Sequence, residues 1–200
     1  MPRVAHRQGR GDFEQFVAGC ADDLLRTVYL VVWDLAGAED LVQESLFRIA
    51  RRWPRVRLME HPAAYARRVL FNLALDDAKR RYRHRSELVR SGPPHEERAD
   101  EAAARALGLV EATPELVGAL AELAPRQRAT LVLRYFEDLP ETQVAAILGC
   151  SVGTVKSTTS RALERLRQKM GPGRPENEHL DLQPVYETKG AQHHEPGPGS

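Results

Sequence analysis

The sequence lacks most of what enzymes, membrane proteins and secreted scaffolds need. Two cysteines occur in 200 residues, Cys20 and Cys150, far apart in the chain. That excludes a disulfide framework and leaves a structural zinc site short of ligands. Apolar runs such as Tyr29–Trp33 are far too short to span a bilayer. The basic N-terminus, Met1 to Arg10, has no apolar stretch behind it, so no secretory signal is expected. There is no glycine-rich phosphate loop and no His-Glu-x-x-His, and no Cys or Ser stands at a familiar spacing from a His. The seven histidines are scattered singly apart from His193-His194. Asp22-Asp23 and Asp76-Asp77 are adjacent, and neighbours on a helix point about 100° apart, which suits paired-carboxylate chemistry badly. The expectation is a non-enzyme of the reducing cytoplasm, with no cofactor and no metal.

What is present is the mix of a globular chain, 42% hydrophobic and 28% charged, long enough for one ordinary domain or two small ones. The net charge of +1 hides a segregation. Residues 1–85 hold 16 basic against 11 acidic groups, and 126–170 hold 8 against 4. Residues 86–125 hold 3 against 8, and 171–200 hold 2 against 5. Two basic modules joined by an acidic linker suit a chain that touches polyanion at two places. Chance segregation is the plainer alternative.

Helical periodicity dominates. Phe13, Phe16, Val17, Cys20, Leu24, Val28 and Val31 recur at steps of one, three and four and predict an amphipathic helix. A break is expected at Asp34 to Gly37. Ala38, Leu41, Val42, Leu46, Ile49 and Trp53 predict a second helix, ended by Pro54. Pro62 opens a third, with Tyr65, Val69 and Leu73 as its apolar stripe. Residues 86–112 read as a linker. Leu116 to Leu123 predict a short helix, and Pro125 opens another. No stretch alternates with period two for long enough to make a strand. The tail from Gly171 holds five Gly and five Pro in thirty residues and predicts disorder.

The strongest local pattern lies in residues 140–170. Two helices joined by a turn at Gly149 have the form of a helix-turn-helix. Glycine suits the left-handed conformation that ends a helix, and Ser151 suits the cap of the next. Val144, Ala145 and Leu148 would face inward on the first helix, with Val152, Val155, Ala162, Leu163 and Leu166 on the second. Thr154, Ser157, Thr158, Arg161, Arg165 and Lys169 would form the outer stripe, with Lys156 beside it. Small hydroxyls at the N-terminal half fit base edges, and cations further along fit phosphates. The competing reading is a solvated helical hairpin. On the third helix, Arg68, Asn72, Asp76, Lys79, Arg80 and Arg83 make a polar stripe ending in a basic cluster, suited to phosphates and unstacked bases. Alternatively Asp76 merely pairs with Arg80. By physics alone, the acidic group Glu39 to Glu44 is an ordinary solvated face.

Taken together these residues resemble a family. Leu24 to Tyr29, Ala38 to Glu44 and Ala64 to Asp76 look like region 2 of an extracytoplasmic-function (ECF) RNA polymerase sigma factor of the sigma-70 superfamily. Leu123 to Arg128, Leu133 to Leu139, Gly153 to Ser157 and Arg161 to Leu163 look like its region 4, in the manner of the actinobacterial sigma-E-like branch. The resemblance covers about residues 13–81 and 116–170.

It implies an all-α chain of two small helical domains joined by a flexible linker. The expected boundaries are an extension at 1–11, region 2 at 12–85, an acidic linker at 86–113, region 4 at 114–170 and a disordered tail at 171–200. The implied partners are core RNA polymerase and promoter DNA, with an anti-sigma factor as a further candidate and no membrane insertion. Asp40, Gln43 and Glu44 would meet the polymerase. Arg68, Asn72, Asp76, Lys79, Arg80 and Arg81 would engage the −10 element, and the loop from Pro54 to His61 would cradle a flipped base. Ser151, Thr154, Lys156, Ser157, Thr158, Arg161 and Arg165 would read the −35 element, and apolar residues near Leu131–Phe136 would dock the polymerase flap. Thr158 departs from the arginine of many relatives, and Val31 to Asp34 is atypical. The main alternative is a helix-turn-helix regulator that binds duplex DNA without polymerase.

Overall fold

The computed structural model describes residues 3–88, 107 and 114–170, with side chains at 11–81, 107 and 116–170. No strand occurs among them, and the all-α expectation holds. The expected tail, and the expected linker apart from residues 86–88 and 107, lie outside the described residues.

Helix α1 runs Arg3–Val32, about 45 Å long at 1.5 Å per residue. Residues 3–11, expected within an extension, belong to this helix. Its inner face follows the sequence period: Phe13, Phe16 and Cys20 are partly buried, and Leu24, Val28 and Val31 are buried. The break comes earlier than expected. Trp33 takes a left-handed backbone (φ 55) and Asp34 is extended. Gly37 instead lies inside α2, Leu35–Ala50, where a Cβ would come 2.6 Å from a carboxylate oxygen of Asp34. The glycine makes room for a side chain rather than breaking the helix.

Pro54 likewise opens an element rather than ending one. Helix α2 stops at Ala50, and the short α3, Trp53–Val56, carries Pro54 in its first turn, where a missing N–H is tolerated. Trp53 therefore leaves the α2 stripe. Its ring packs on Phe13 and Phe16, with centroids 5.2 and 5.0 Å away.

Helix α4, Pro62–Leu88, opens at Pro62 as expected. Its burial is broader than the stripe read from the sequence. Ala66, Leu70, Phe71, Leu73, Ala74 and Leu75 are buried, while Tyr65 and Val69 are only partly so. A helix packed on several sides needs more than one apolar stripe, and α4 meets α1, α2 and the second module.

The second module holds α5 (Pro114–Ala121), α6 (Pro125–Leu131), α7 (Glu141–Leu148) and α8 (Val152–Met170). Helix α6 passes into a single π turn, Val132–Phe136. Ala119, Leu123, Leu131, Ala162 and Leu166 form a small core of their own. Val132, Leu133, Val144, Ala145, Leu148 and Val155 join the large core of the first module. Helices α6 and α7 pack on α4, and α6 and the π turn pack on α1. Two modules sharing a core was not legible in the sequence. It also corrects one expectation: Leu131, Val132 and Leu133 are buried inside the protein and are not a free docking face.

Candidate nucleic-acid and protein interfaces

Helix α7 ends at Gly149, whose backbone is left-handed (φ 60, ψ 45). An L side chain rarely adopts that conformation. Ser151 then caps α8, its Oγ accepting the Thr154 backbone N–H at 3.1 Å and lying 2.9 Å from the Thr154 hydroxyl. Ser151→Ala is expected to cost about 1 kcal/mol, read as a lower urea midpoint at unchanged slope. An unchanged midpoint would mean the cap contributes nothing.

Thr154, Lys156, Ser157, Arg161 and Arg165 are exposed on α8. Thr158 is half-buried, against expectation. It lies three residues after Val155 and four before Ala162, on the flank of the inward stripe, so it is poorly placed for a groove. The Arg161 guanidinium folds back on Ser157, with Nε donating to the carbonyl at 3.1 Å and Nη2 to Oγ at 3.2 Å. Lys156 lies 3.7 Å from the Glu141 carboxylate, and Arg165 Nη1 donates to Gln127 at 3.3 Å. Ion pairs and hydrogen bonds between exposed groups are weak, so phosphates can displace these partners.

On α4, Arg68, Asn72, Asp76, Lys79 and Arg80 are exposed along successive turns. The pairing differs from the one read in the sequence: Asp76 meets Lys79 at 3.4 Å, and Arg80 meets Asp77 at 3.7 Å. Arg81 stands apart. It is half-buried, 2.6 Å from Asp77 and 3.5 Å from Asp34, so it ties α4 to the start of α2. A phosphate would have to displace both carboxylates.

Asp40, Gln43 and Glu44 are exposed on α2, Glu44 pairing with Arg48 at 2.6 Å. Phe47 continues their stripe, 59% exposed beneath the Arg51 guanidinium. Its spacing from residues 40, 43 and 44 was visible, but a lone exposed aromatic is ordinary until its neighbours are placed. Between α2 and α4 runs an open cleft lined by Asp40, Leu41, Glu44, Leu73, Asp77 and Arg80. The acidic patch and the end of the basic stripe thus share one cleft. Leu58 and Met59 stand exposed in the loop before α4, apolar surface that could meet an unstacked base.

Both cysteines are half-buried and free. Burial pushes the Cys20 thiol up, with Arg67 pulling the other way, so the thiolate is disfavoured. Among the described residues no cluster of His, Cys, Asp and Glu could hold a metal, and no helix is long and apolar enough to cross a membrane.

Comparison with known proteins matches this arrangement in two blocks. Residues 16–85 match the family described as Sigma-70 region 2, and residues 114–166 match Sigma-70, region 4. The RNA polymerase sigma-E factor of Streptomyces coelicolor is 36% identical over 162 residues, covering 80% of this chain and 86% of that one. The sigma-E factor of Streptomyces antibioticus is 38% identical, covering 80% and 84%. The ECF RNA polymerase sigma factor SigL of Mycobacterium tuberculosis is 33% identical over 150 residues, covering 72% and 80%. Among solved structures, the sigma factor RpoE of Bartonella quintana, crystallised with the anti-sigma factor NepR, shares the fold. Its TM-score is 0.62 at 22% identity, over 82% of this chain and 99% of that one. A match to both blocks in order does not favour a lone helix-turn-helix regulator.

Proposed function

Because the chain belongs to the sigma-70 family of RNA polymerase sigma factors, in its extracytoplasmic-function branch, we propose that its two modules divide promoter recognition between α4 and α8. The carrying observation is that one chain presents two unlike exposed stripes. On α4 an amide lies between cations, at Arg68, Asn72 and Lys79. That chemistry suits a strand whose bases have left the stack. On α8 small hydroxyls precede cations, which suits the major groove of a duplex.

In this reading α4 holds the opened −10 strand. Asn72 meets bases, and Arg68, Lys79 and Arg80 meet phosphates. Asp76 holds Lys79 in place, and Arg81 shapes the cleft instead of binding the strand. Leu58 and Met59 offer apolar walls to a flipped base. Thr154, Ser157 and Arg161 read −35 base edges, with Lys156 and Arg165 on phosphates and Ser151 setting the helix start. Asp40, Gln43, Glu44 and Phe47 form the polymerase-facing patch. The chain does no chemistry itself and works in the cytoplasm with core RNA polymerase and promoter DNA. The complex of the Bartonella relative with NepR makes an anti-sigma factor a candidate partner.

Run-off transcription with core polymerase on a promoter library tests the whole reading. Transcription from no promoter, by a chain of normal helical spectrum, would overturn it. Reversing Asp40→Lys with Glu44→Lys is expected to weaken core binding at least about tenfold, as two like-charge contacts replace complementary ones, with helicity unchanged. Equal affinity in a fluorescence titration would remove the patch from the interface.

A further inference from the structure

The corner between α2 and α3 carries surface that the helices do not use for their own packing. Residues 47–59 hold five arginines and no carboxylate. Arg48, Arg51, Arg52, Arg55 and Arg57 are all exposed. Arg48 and Arg57 reach outward to Glu44 at 2.6 Å and Asp12 at 3.2 Å. Arg51 lies over the Phe47 ring, and Arg52 donates to the Tyr65 hydroxyl at 3.4 Å. These two and Arg55 meet no carboxylate among the described residues. Set among the cations are Phe47, Leu58 and Met59, the exposed large hydrophobics of the described residues. Backbone hydrogen bonds in succession, from the Arg52 N–H to the Met59 N–H, keep the corner compact.

Apolar surface ringed by cations fits a segment of opposite charge that also carries apolar side chains. One such segment lies in this chain. Residues 176–187, Glu-Asn-Glu-His-Leu-Asp-Leu-Gln-Pro-Val-Tyr-Glu, hold four carboxylates and no Lys or Arg. Leu180, Leu182, Val185 and Tyr186 are all the Leu, Val and Tyr of residues 171–200. A merely solvating tail has no need to gather its apolar side chains beside its acids. The reach suffices. Leu182 stands twelve positions past Met170, about 40 Å of extended chain, whereas the whole of α8 is about 28 Å long. The second module also borders the corner: Glu137 pairs at 2.8 Å with Arg67, in the same turns of α4 whose Tyr65 meets Arg52. The linker is acidic too, but its Leu107 already packs on the large core.

We infer that residues 176–187 are an internal ligand of this corner, with carboxylates on Arg51, Arg52 and Arg55 and apolar side chains on Phe47, Leu58 and Met59. Tethering makes a weak contact sufficient. At an effective concentration of about 1 mM, a dissociation constant of about 0.1 mM keeps the corner covered about nine-tenths of the time. The covered corner withholds Phe47 from polymerase, and Leu58 and Met59 from an unstacked base. That consequence, though not the contact, rests on the reading under Proposed function.

The test uses the full chain with Cys20→Ala and Cys150→Ala, carrying a nitroxide at Thr188→Cys. Amide signals of residues 47–59 should lose at least about half their intensity at low salt and regain it at high salt, where exposed charges are screened. Signals from Thr154 to Arg161, the rival basic surface, should keep theirs. A mixture with label and isotope on separate chains should show no loss, because the contact is internal. Leu180→Ser with Leu182→Ser lies outside the helical body. It should restore the signals and raise the apparent affinity for core polymerase about tenfold. Arg51→Glu with Arg55→Glu should restore the signals as well. Equal broadening in the Leu180→Ser, Leu182→Ser chain, or broadening centred on Thr154 to Arg161, would overturn the contact. So would broadening of 47–59 by a label at Ala102→Cys in the linker and none by the label at 188. Unchanged affinity for core, once the leucine changes have released the corner, would overturn the masking. Core that binds neither parent nor variant, while the parent's broadening at 47–59 persists, would overturn the functional reading and leave the contact standing.

Discussion

Phe71→Ala is expected to lower the stability of the first module by about 3–5 kcal/mol, while Asn72→Ala, one residue along, is expected to shift it by less than about 0.5 kcal/mol. Phe71 is fully buried in α4, and truncation leaves a cavity that two packed helices and a second module cannot easily close. Asn72 faces outward, and alanine is the better helix former. The functional order should be reversed for material that remains folded. Asn72→Ala should still form closed promoter complexes but open the −10 strand poorly, because the lost amide met bases only once they were unstacked. Urea melts give the first comparison and permanganate footprints the second. Equal strand opening by Asn72→Ala and parent would remove Asn72 from strand capture. A Phe71→Ala protein as stable as the parent would mean that α4 is not central to the core.

The second large effect belongs to α8. Arg161→Ala should alter which −35 sequences are used, since a lost base contact costs about 1–3 kcal/mol at one position and leaves the others intact. The side chain now rests on Ser157, so binding needs only that exposed hydrogen bonds be exchanged. Lys156→Ala should weaken all sequences alike and reduce the salt slope by about one unit. A promoter-library competition at two salt concentrations measures both. Uniform loss across the library with Arg161→Ala would make Arg161 a phosphate clamp and undo the division of the helix.

The elements most legible in the sequence were those set by neighbours a few residues away. Gly149 and Ser151 act as turn and cap, Pro62 opens α4, and the outer residues of α2, α4 and α8 are exposed with few exceptions. Local sterics decide such features, and local sequence carries them. The misreadings share a different cause. Gly37 and Pro54 predict helix breaks because their types break helices on average. At these positions, one makes room for Asp34 and the other fills a first turn. The periodicity places Thr158 on the outer stripe, but it sits on the flank that Val155 and Ala162 turn inward, where it is half-buried. The resemblance assigns Arg81 to the −10 element because Asp34, its second partner, lies 47 positions away in sequence and no local pattern joins them. Glu137 with Arg67 and Arg128 with Trp33 join residues too distant in sequence for any periodicity to pair them.

The two tryptophans of this chain are Trp33 and Trp53, and their placement has an optical consequence. Neither indole N–H has a hydrogen-bond acceptor, and both rings are buried, so both should emit in the blue. Their surroundings differ. Trp53 lies among phenylalanine rings inside the first module, away from the junction. Trp33 lies at the junction under a guanidinium cation, whose field acts on the excited-state dipole of the ring. Parting the modules removes that cation and wets one indole, while the other stays dry until α1 itself unfolds. Unlabelled protein therefore carries two intrinsic fluorophores with separate assignments, one reporting the seam and the other the integrity of the helical body, and Trp53→Phe would leave the seam signal alone in the spectrum.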